Sequence, residues 1–380
     1  MHFAFTDEQK LLADSVARFV AKDYPFEARR KLAAGEEGWS RAIWRNLAEL
    51  GWLAAPFAEN LGGLGGGPVE AAIVMEGFGK GLVLEPYIPT VVLGGALLAA
   101  SGRHDLMRAL VAGELQVSLA WVEPRARFDL AHVETRAART NGGFALSGRK
   151  GVAFNAAAAD WIVVPARTAG GAKEKQGITL FLVPKDAKGL TLRPYRTVDG
   201  LRAAEVTLDG VVLGGPDGVL GEVDWGHPPL EAAIDRGIAA VCAEAAGIMA
   251  QIVATTREYL KTRKQFGVPL ASFQVLQHRA VDMYVLAEQA SGMAYRAAVL
   301  ADAREPAERA RAVSAAKAWI GKAGRRVGQE AIQMHGGMGM TEELPVSHYF
   351  KRLTMIDTLF GDHRFHRRRF AALGGHVEAP

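Results

Sequence analysis

The 380-residue sequence predicts an α+β chain of three domains. These are an N-terminal α-helical domain (1–112), a central small antiparallel β-barrel or sandwich (113–225) and a C-terminal four-helix bundle (226–380). Three observations predict it. The length exceeds what one hydrophobic core usually serves. Apolar residues recur at helical spacing in both outer thirds. The middle third breaks into short β-prone runs between Gly, Pro and Asn turns.

The first helix is expected in "TDEQKLLADSVARFVAKDY", with Thr6 as N-cap. "ENLGGLGGGPVE" then turns the chain before "AAIVMEGFGKGL". It contains no G-x-G-x-x-G and no strand precedes it, so a dinucleotide loop is not expected there. In the middle third, "LQVSLAWVEP", "FALSGRKGVAF", "DWIVVPAR", "GITLFLVPK", "LTLRPY" and "AAEVTLDGVVL" read as strands of a barrel or sandwich. The last third reads as helix again. It runs from the alanine-rich stretch beginning "PPLEAAIDRGIAAV", through "FQVLQHRAVDMYVL", to a third helix ending at Gly336-Gly337. A shorter fourth covers "PVSHYFKRLTMIDTLFG".

Composition narrows the function classes. Hydrophobic residues make up 49% and charged residues 23%, ordinary values for a globular protein. A net charge of +4 over this length does not call for nucleic acid. The one cysteine, Cys242, excludes an internal disulfide framework and suits a reducing cytosol. The start has no basic-then-apolar leader, and no apolar run reaches about 18 residues. A cytoplasmic chain without a membrane partner is expected.

There is no P-loop, no HExxH and no G-x-S-x-G. His363 and His366 stand three apart, but beyond Asp362 no cysteine or carboxylate cluster supports a metal, and none is expected. "HRFHRRR" packs four arginines and two histidines into seven residues. A nucleic-acid contact would want interleaved aromatics and a wider basic surface.

Four stretches in order resemble the acyl-CoA dehydrogenase family of flavoenzymes. They are "PFAENLGGLGGGPVEAAIVMEGFGK", "WVEPRARFD…SGRKGVAFNAAAADWIVVPAR", "TRKQFGVPLASFQVLQHRAVDM" and "QEAIQMHGGMGMTEELPVSHYFKR". The resemblance spans essentially the whole chain. It implies FAD-dependent α,β-dehydrogenation of an acyl-CoA thioester: a carboxylate takes the α-proton and the β-hydrogen leaves as hydride. The thioester carbonyl is held by a backbone N–H and by the cofactor. Electron-transfer flavoprotein is the implied electron acceptor, and a homotetramer or a heterotetramer with a homologous chain is the implied assembly.

In the family, the adenosine and pyrophosphate end of each FAD is gripped by a neighbouring subunit. Arg263, Gln265 and Phe266 match one half of that grip, and Gln333, Gly336 and Gly337 the other. An arginine supplies a charge-assisted fork for pyrophosphate, and paired glycines admit close backbone approach. The half that holds the flavin ring departs. The family's T-E-P-x-A-G-S-D reads V-E-P-R-A-R-F-D, placing Val122, Arg127 and Phe128 where hydroxyls and a glycine stand. The family's W-I-T reads Val152-Ala153-Phe154.

Phe360 occupies the position of the usual catalytic glutamate. Its backbone N–H remains a donor, but its side chain takes no proton. Two carboxylates are candidates for the base: Asp235, preceding Arg236 on the long bundle helix, and Asp362, two residues past Phe360. The ending "LFGDHRFHRRRF" and the start of the chain resemble the small subunit of pimeloyl-CoA-type heteromeric dehydrogenases. That resemblance implies an alternative: a poorly catalytic partner subunit lending the neighbour-facing half of the FAD site. The arginines past Asp362 then stand as surface, CoA-phosphate or subunit contacts.

Overall fold

The computed structural model describes residues 5–215 and 218–375. Six helices come first: α1 (Asp7–Lys22), α2 (Phe26–Ala34), α3 (Arg41–Glu49), α4 (Pro68–Gly81), α5 (Ala96–Ala100) and α6 (His104–Val111). A π-helical turn, Ile88–Gly95, leads into α5. Eight strands follow: β1 (Val117–Leu119), β2 (Arg136–Thr140), β3 (Gly143–Phe154), β4 (Trp161–Arg167), β5 (Ile178–Pro184), β6 (Leu190–Arg196), β7 (Arg202–Gly214) and β8 (Val219–Leu220). The chain continues with α7 (His227–Thr262), a hairpin of β9 (Lys264–Gln265) and β10 (Val268–Pro269), then α8 (Gln274–Leu300) and α9 (Pro306–His335). It closes with α10 (Pro345–Thr358) and α11 (His363–Ala372). The predicted class and the helix–β–helix order hold. The basic run after Asp362 is a further helix, α11, beyond the four expected.

The chain packs into two compact units. One comprises Met1–Lys31, Pro68–Val83 and Ile238–Pro380, the other Leu32–Gly67 and Leu84–Gly237.

In the helical unit, Thr6 caps α1 as its sequence predicts: the Gln9 N–H donates to the Thr6 hydroxyl at 3.2 Å, and the Gln9 side chain accepts the Thr6 N–H at 3.0 Å. Helices α4 and α7 cross at glycines. A Cβ on Gly79 would collide with the Glu244 carbonyl, and one on Gly247 with the Glu76 carbonyl. Gly321, Gly324 and Gly328 likewise admit Asp357, Leu353 and Phe350 of α10 against α9. Arg352 of α10 is buried and makes a two-pronged pair with Glu244 of α7, both contacts 2.6 Å.

Helix α7 is long and apolar enough to cross a membrane by length and composition, yet 78% of its apolar window is buried inside the protein. No uninterrupted apolar run of that length is seen in the sequence because Glu244 and Gln251 interrupt the stretch that follows Arg236.

The other unit holds one eight-stranded, mostly antiparallel sheet in the order β6-β7-β3-β2-β4-β5-β8, with β1 parallel to β4. Pro194 is tolerated because β6 is an edge strand. Phe144 and Phe181 meet edge to face at 5.1 Å in a core with Leu146, Val164 and Val206. Beneath the loop after β1 lies a buried ion pair. Lys150 Nζ donates to Glu123 Oε1 and to the Pro165 carbonyl, both at 2.7 Å. The Glu123 carboxylate also accepts the N–H groups of Glu134 and Thr135 and the Thr135 hydroxyl.

Candidate active site

Arg263 follows α7, and its N–H donates to the Tyr259 carbonyl at 2.8 Å. The hairpin beyond it turns at Phe266 (φ 55°) and Gly267 (φ 83°). The Phe266 ring is 91% exposed and touches only the edge of Phe273, at 6.2 Å among the described residues. Arg263 and Gln265 are exposed as well, and the Arg263 guanidinium has no acceptor among the described residues. The only described bond of the Gln265 side chain is to the adjacent Lys264 carbonyl.

Gln333, Gly336 and Gly337 lie where α9 ends. Gly336 has φ 59° and ψ −141°, a backbone shape essentially restricted to glycine. The Gly336 N–H donates to the Gln333 carbonyl, and a Cβ on Gly336 or Gly337 would meet nothing within 4 Å, so the backbone there is open to close approach. The two motifs, 67 residues apart in sequence at their nearest pair, Phe266 and Gln333, converge through one aromatic contact. Tyr259 stacks on His335 at 4.3 Å, and its hydroxyl donates to the His335 carbonyl at 3.3 Å. Burial pushes His335 below the usual imidazole range, so the stacked ring is neutral. An unpaired guanidinium, a glycine backbone free of side-chain bulk and an exposed aromatic fit the pyrophosphate and adenosine of a dinucleotide.

In the sheet-containing unit, the loop that departs from the family is rigidly founded. Glu123 is fixed by Lys150 and Thr135 as above, and the Gly151 N–H donates to the Val122 carbonyl at 2.7 Å. Arg127 is exposed with φ 50°, the left-handed shape for which the family's glycine is suited. Val122, Val152, Phe128 and Phe154 are half-buried, and Ala153 is buried. The β3–β7 register slips between Lys150 and Ala153, where the family's W-I-T segment would run. Asp235 is fully buried on α7, with the half-buried Arg236 beside it.

The C-terminal segment folds as a tight elbow between α10 and α11. Phe360 is buried and takes φ 58°; Gly361 takes φ 117°. Asp362 is the N-cap of α11, accepting the Phe365 N–H at 2.7 Å. Three buried side chains that motif reading passes over surround this elbow: Lys317 and Ser314 of α9 and His366 of α11. The signal for them was a lysine on the apolar face of an alanine-rich helix, between Val313 and Ile320. Among the described residues no group of three His, Cys, Asp or Glu could hold a metal. Cys242 is buried, and burial pushes its thiol up to about 12, leaving it inert.

Residues 6–113 match the acyl-CoA dehydrogenase N-terminal domain, 118–211 its middle domain and 227–373 its C-terminal domain. The probable acyl-CoA dehydrogenase YngJ of Bacillus subtilis (strain 168) is 30% identical over 366 residues, covering 94% of this chain and 95% of its own. Benzylmalonyl-CoA dehydrogenase of Aromatoleum aromaticum (strain EbN1) is 28% identical over 94% of this chain and 95% of its own. The crystal structure of the ChsE4–ChsE5 complex from Mycobacterium tuberculosis is similar over 100% of both chains, with a TM-score of 0.88 at 26% identity. Matched by all three domains in their order, the chain belongs to the acyl-CoA dehydrogenase family.

Proposed function

We propose that this chain serves FAD-dependent α,β-dehydrogenation of an acyl-CoA thioester, within a tetramer whose FAD sites are each completed by a neighbouring subunit. The observation that carries this reading is the exposed group at the end of α7 and α9: the unpaired Arg263, the uncrowded backbone at Gly336 and Gly337, and the bare ring of Phe266. Bound FAD supplies the hydride acceptor. Arg263 holds the pyrophosphate by charge, Gln265 and Gln333 offer side-chain amides, and Phe266 offers a stacking face.

On this reading Asp235 is the base that removes the α-proton, with Asp362 as the second candidate. The Phe360 N–H stabilises the carbonyl oxygen as charge develops on it. Electron-transfer flavoprotein is the acceptor that reoxidises the enzyme. The sequence segments 1–112, 113–225 and 226–380 serve as its three domains.

A second reading is favoured by Phe360, which stands in place of the usual glutamate and has no proton to exchange. It makes the chain a subunit of a heteromeric dehydrogenase, of the pimeloyl-CoA kind, that lends the neighbour-facing grip to a catalytic homologue. The visible absorption spectrum of purified protein separates the two. A yellow protein with stoichiometric FAD that bleaches on adding acyl-CoA supports the self-sufficient enzyme. A colourless protein that becomes active only when a homologous chain is co-expressed supports the heteromer.

A further inference from the structure

A phenylalanine in the left-handed region is strained, and such strain persists only where the surroundings over-determine it. At Phe360 they do so through its neighbours' carbonyls. Lys317 Nζ donates to the Asp357 carbonyl at 3.0 Å and to the Gly361 carbonyl at 2.7 Å. His366 Nε2 lies 3.0 Å from the Phe360 carbonyl, and Nδ1 lies 3.2 Å from the Ser314 hydroxyl. A carbonyl only accepts, so the imidazole proton sits on Nε2 and Nδ1 accepts from Ser314. This requires a neutral ring, and burial with the nearby Lys317 and Arg369 charges pushes His366 well below its usual range. Gly361 is confined to glycine, because a Cβ there would strike the rings of Phe365 and His366.

The result is an asymmetry. The carbonyls of residues 357, 360 and 361 are all bound, whereas the Phe360 N–H has no acceptor among the described residues, although the residue is only 8% exposed. Buried N–H groups are almost always paired. We propose that Lys317 and His366 are positioning residues: they pin the carbonyls of the elbow so that the Phe360 N–H stays free and aimed as the donor to a substrate carbonyl. This rests on the acyl-CoA reading above. Neither side chain needs to touch substrate; both act through the backbone of residues 357–361.

The test uses the FAD-loaded protein, co-expressed with a homologous chain where loading needs one, and acetoacetyl-CoA as probe. Its enolate absorbs in the near ultraviolet, so a pH titration reads the acidity of the bound α-carbon, which a donor to the carbonyl increases. Lys317→Met and His366→Leu are expected to weaken enolisation by about tenfold or more at unchanged FAD content. His366→Gln, whose side-chain amide reaches the same carbonyl, is expected to restore it. Ser314→Ala, a milder change that frees the tautomer, is expected to give a smaller loss in the same direction, and it serves if the larger substitutions fail to fold. Folded variants that enolise the probe like the unsubstituted protein overturn the positioning role. An unsubstituted, FAD-loaded protein that binds no acetoacetyl-CoA overturns the acyl-CoA reading itself, and the proposal with it.

Discussion

At Asp362 one carboxylate oxygen already accepts the Phe365 N–H, and asparagine in that place caps a helix as well as aspartate does. Asp362→Asn therefore removes a base while keeping the cap. With Asp235 as the base, Asp362→Asn retains turnover, whereas Asp235→Asn loses it by about a thousandfold or more with FAD still bound. Steady-state rates alongside the flavin spectrum check both, and turnover by Asp235→Asn would exclude it. Buried imidazoles give a second prediction at this scale. His335, His348 and His366 are all held below the ordinary value, chiefly by burial. The unfolded chain takes up protons below about pH 6.5 that the folded chain refuses, so stability is full above that pH and falls as pH drops. The slope is about 1.4 kcal/mol per pH unit for each such ring. Urea denaturation at pH 7.5 and 5.5 reads it, and His366→Gln should shallow the dependence.

At the scale of elements, the sheet's polar anchor and the glycine crossings make contrasting predictions. Lys150→Met leaves the Glu123 carboxylate buried without its cation, a change that costs about 3–5 kcal/mol. Pairing it with Glu123→Gln removes the stranded charge and should recover part of the loss. Melting midpoints of the two variants decide this. Gly247→Val drives a side chain into the Glu76 carbonyl across the α4–α7 crossing, and is expected to yield little folded protein. The elements also show what was legible in the sequence. Thr6, the third-helix end at His335 and six of the eight strands of the large sheet could be read from caps, glycines and alternation. Strand β2, "RAART", was not, because four of its five side chains are exposed and only Ala137 faces the core. Helix α11 was hidden by its arginines. What stabilises it is a single buried residue, His366, and a cap that looked like a candidate base. The residues proposed to face a neighbouring subunit stand in short contiguous motifs, at Arg263–Phe266 and Gln333–Gly337. The Lys317–His366 clamp was not legible, since it joins side chains 49 positions apart to carbonyls that no sequence pattern marks.

For the whole molecule, the family and its fold rest on all three domain matches in order, while the proposed activity depends on more than one chain. Arg263→Ala should lower FAD retention in the assembled protein without changing the melting of the isolated subunit, since the guanidinium holds no acceptor among the described residues of its own chain. In a mixed assembly with a homologous chain, the loss should fall on the FAD of the partner. Gel filtration with absorbance at flavin and protein wavelengths measures it, and an unchanged flavin ratio would remove Arg263 from the cofactor grip.

The hairpin tip that leaves Phe266 nine-tenths bare carries a consequence in mass action. A cofactor gripped by two chains is retained only as long as those chains stay associated, so its occupancy depends on protein concentration and not on cofactor concentration alone. Diluting the assembled protein at constant free FAD should bleach it, and concentrating it again should return the colour.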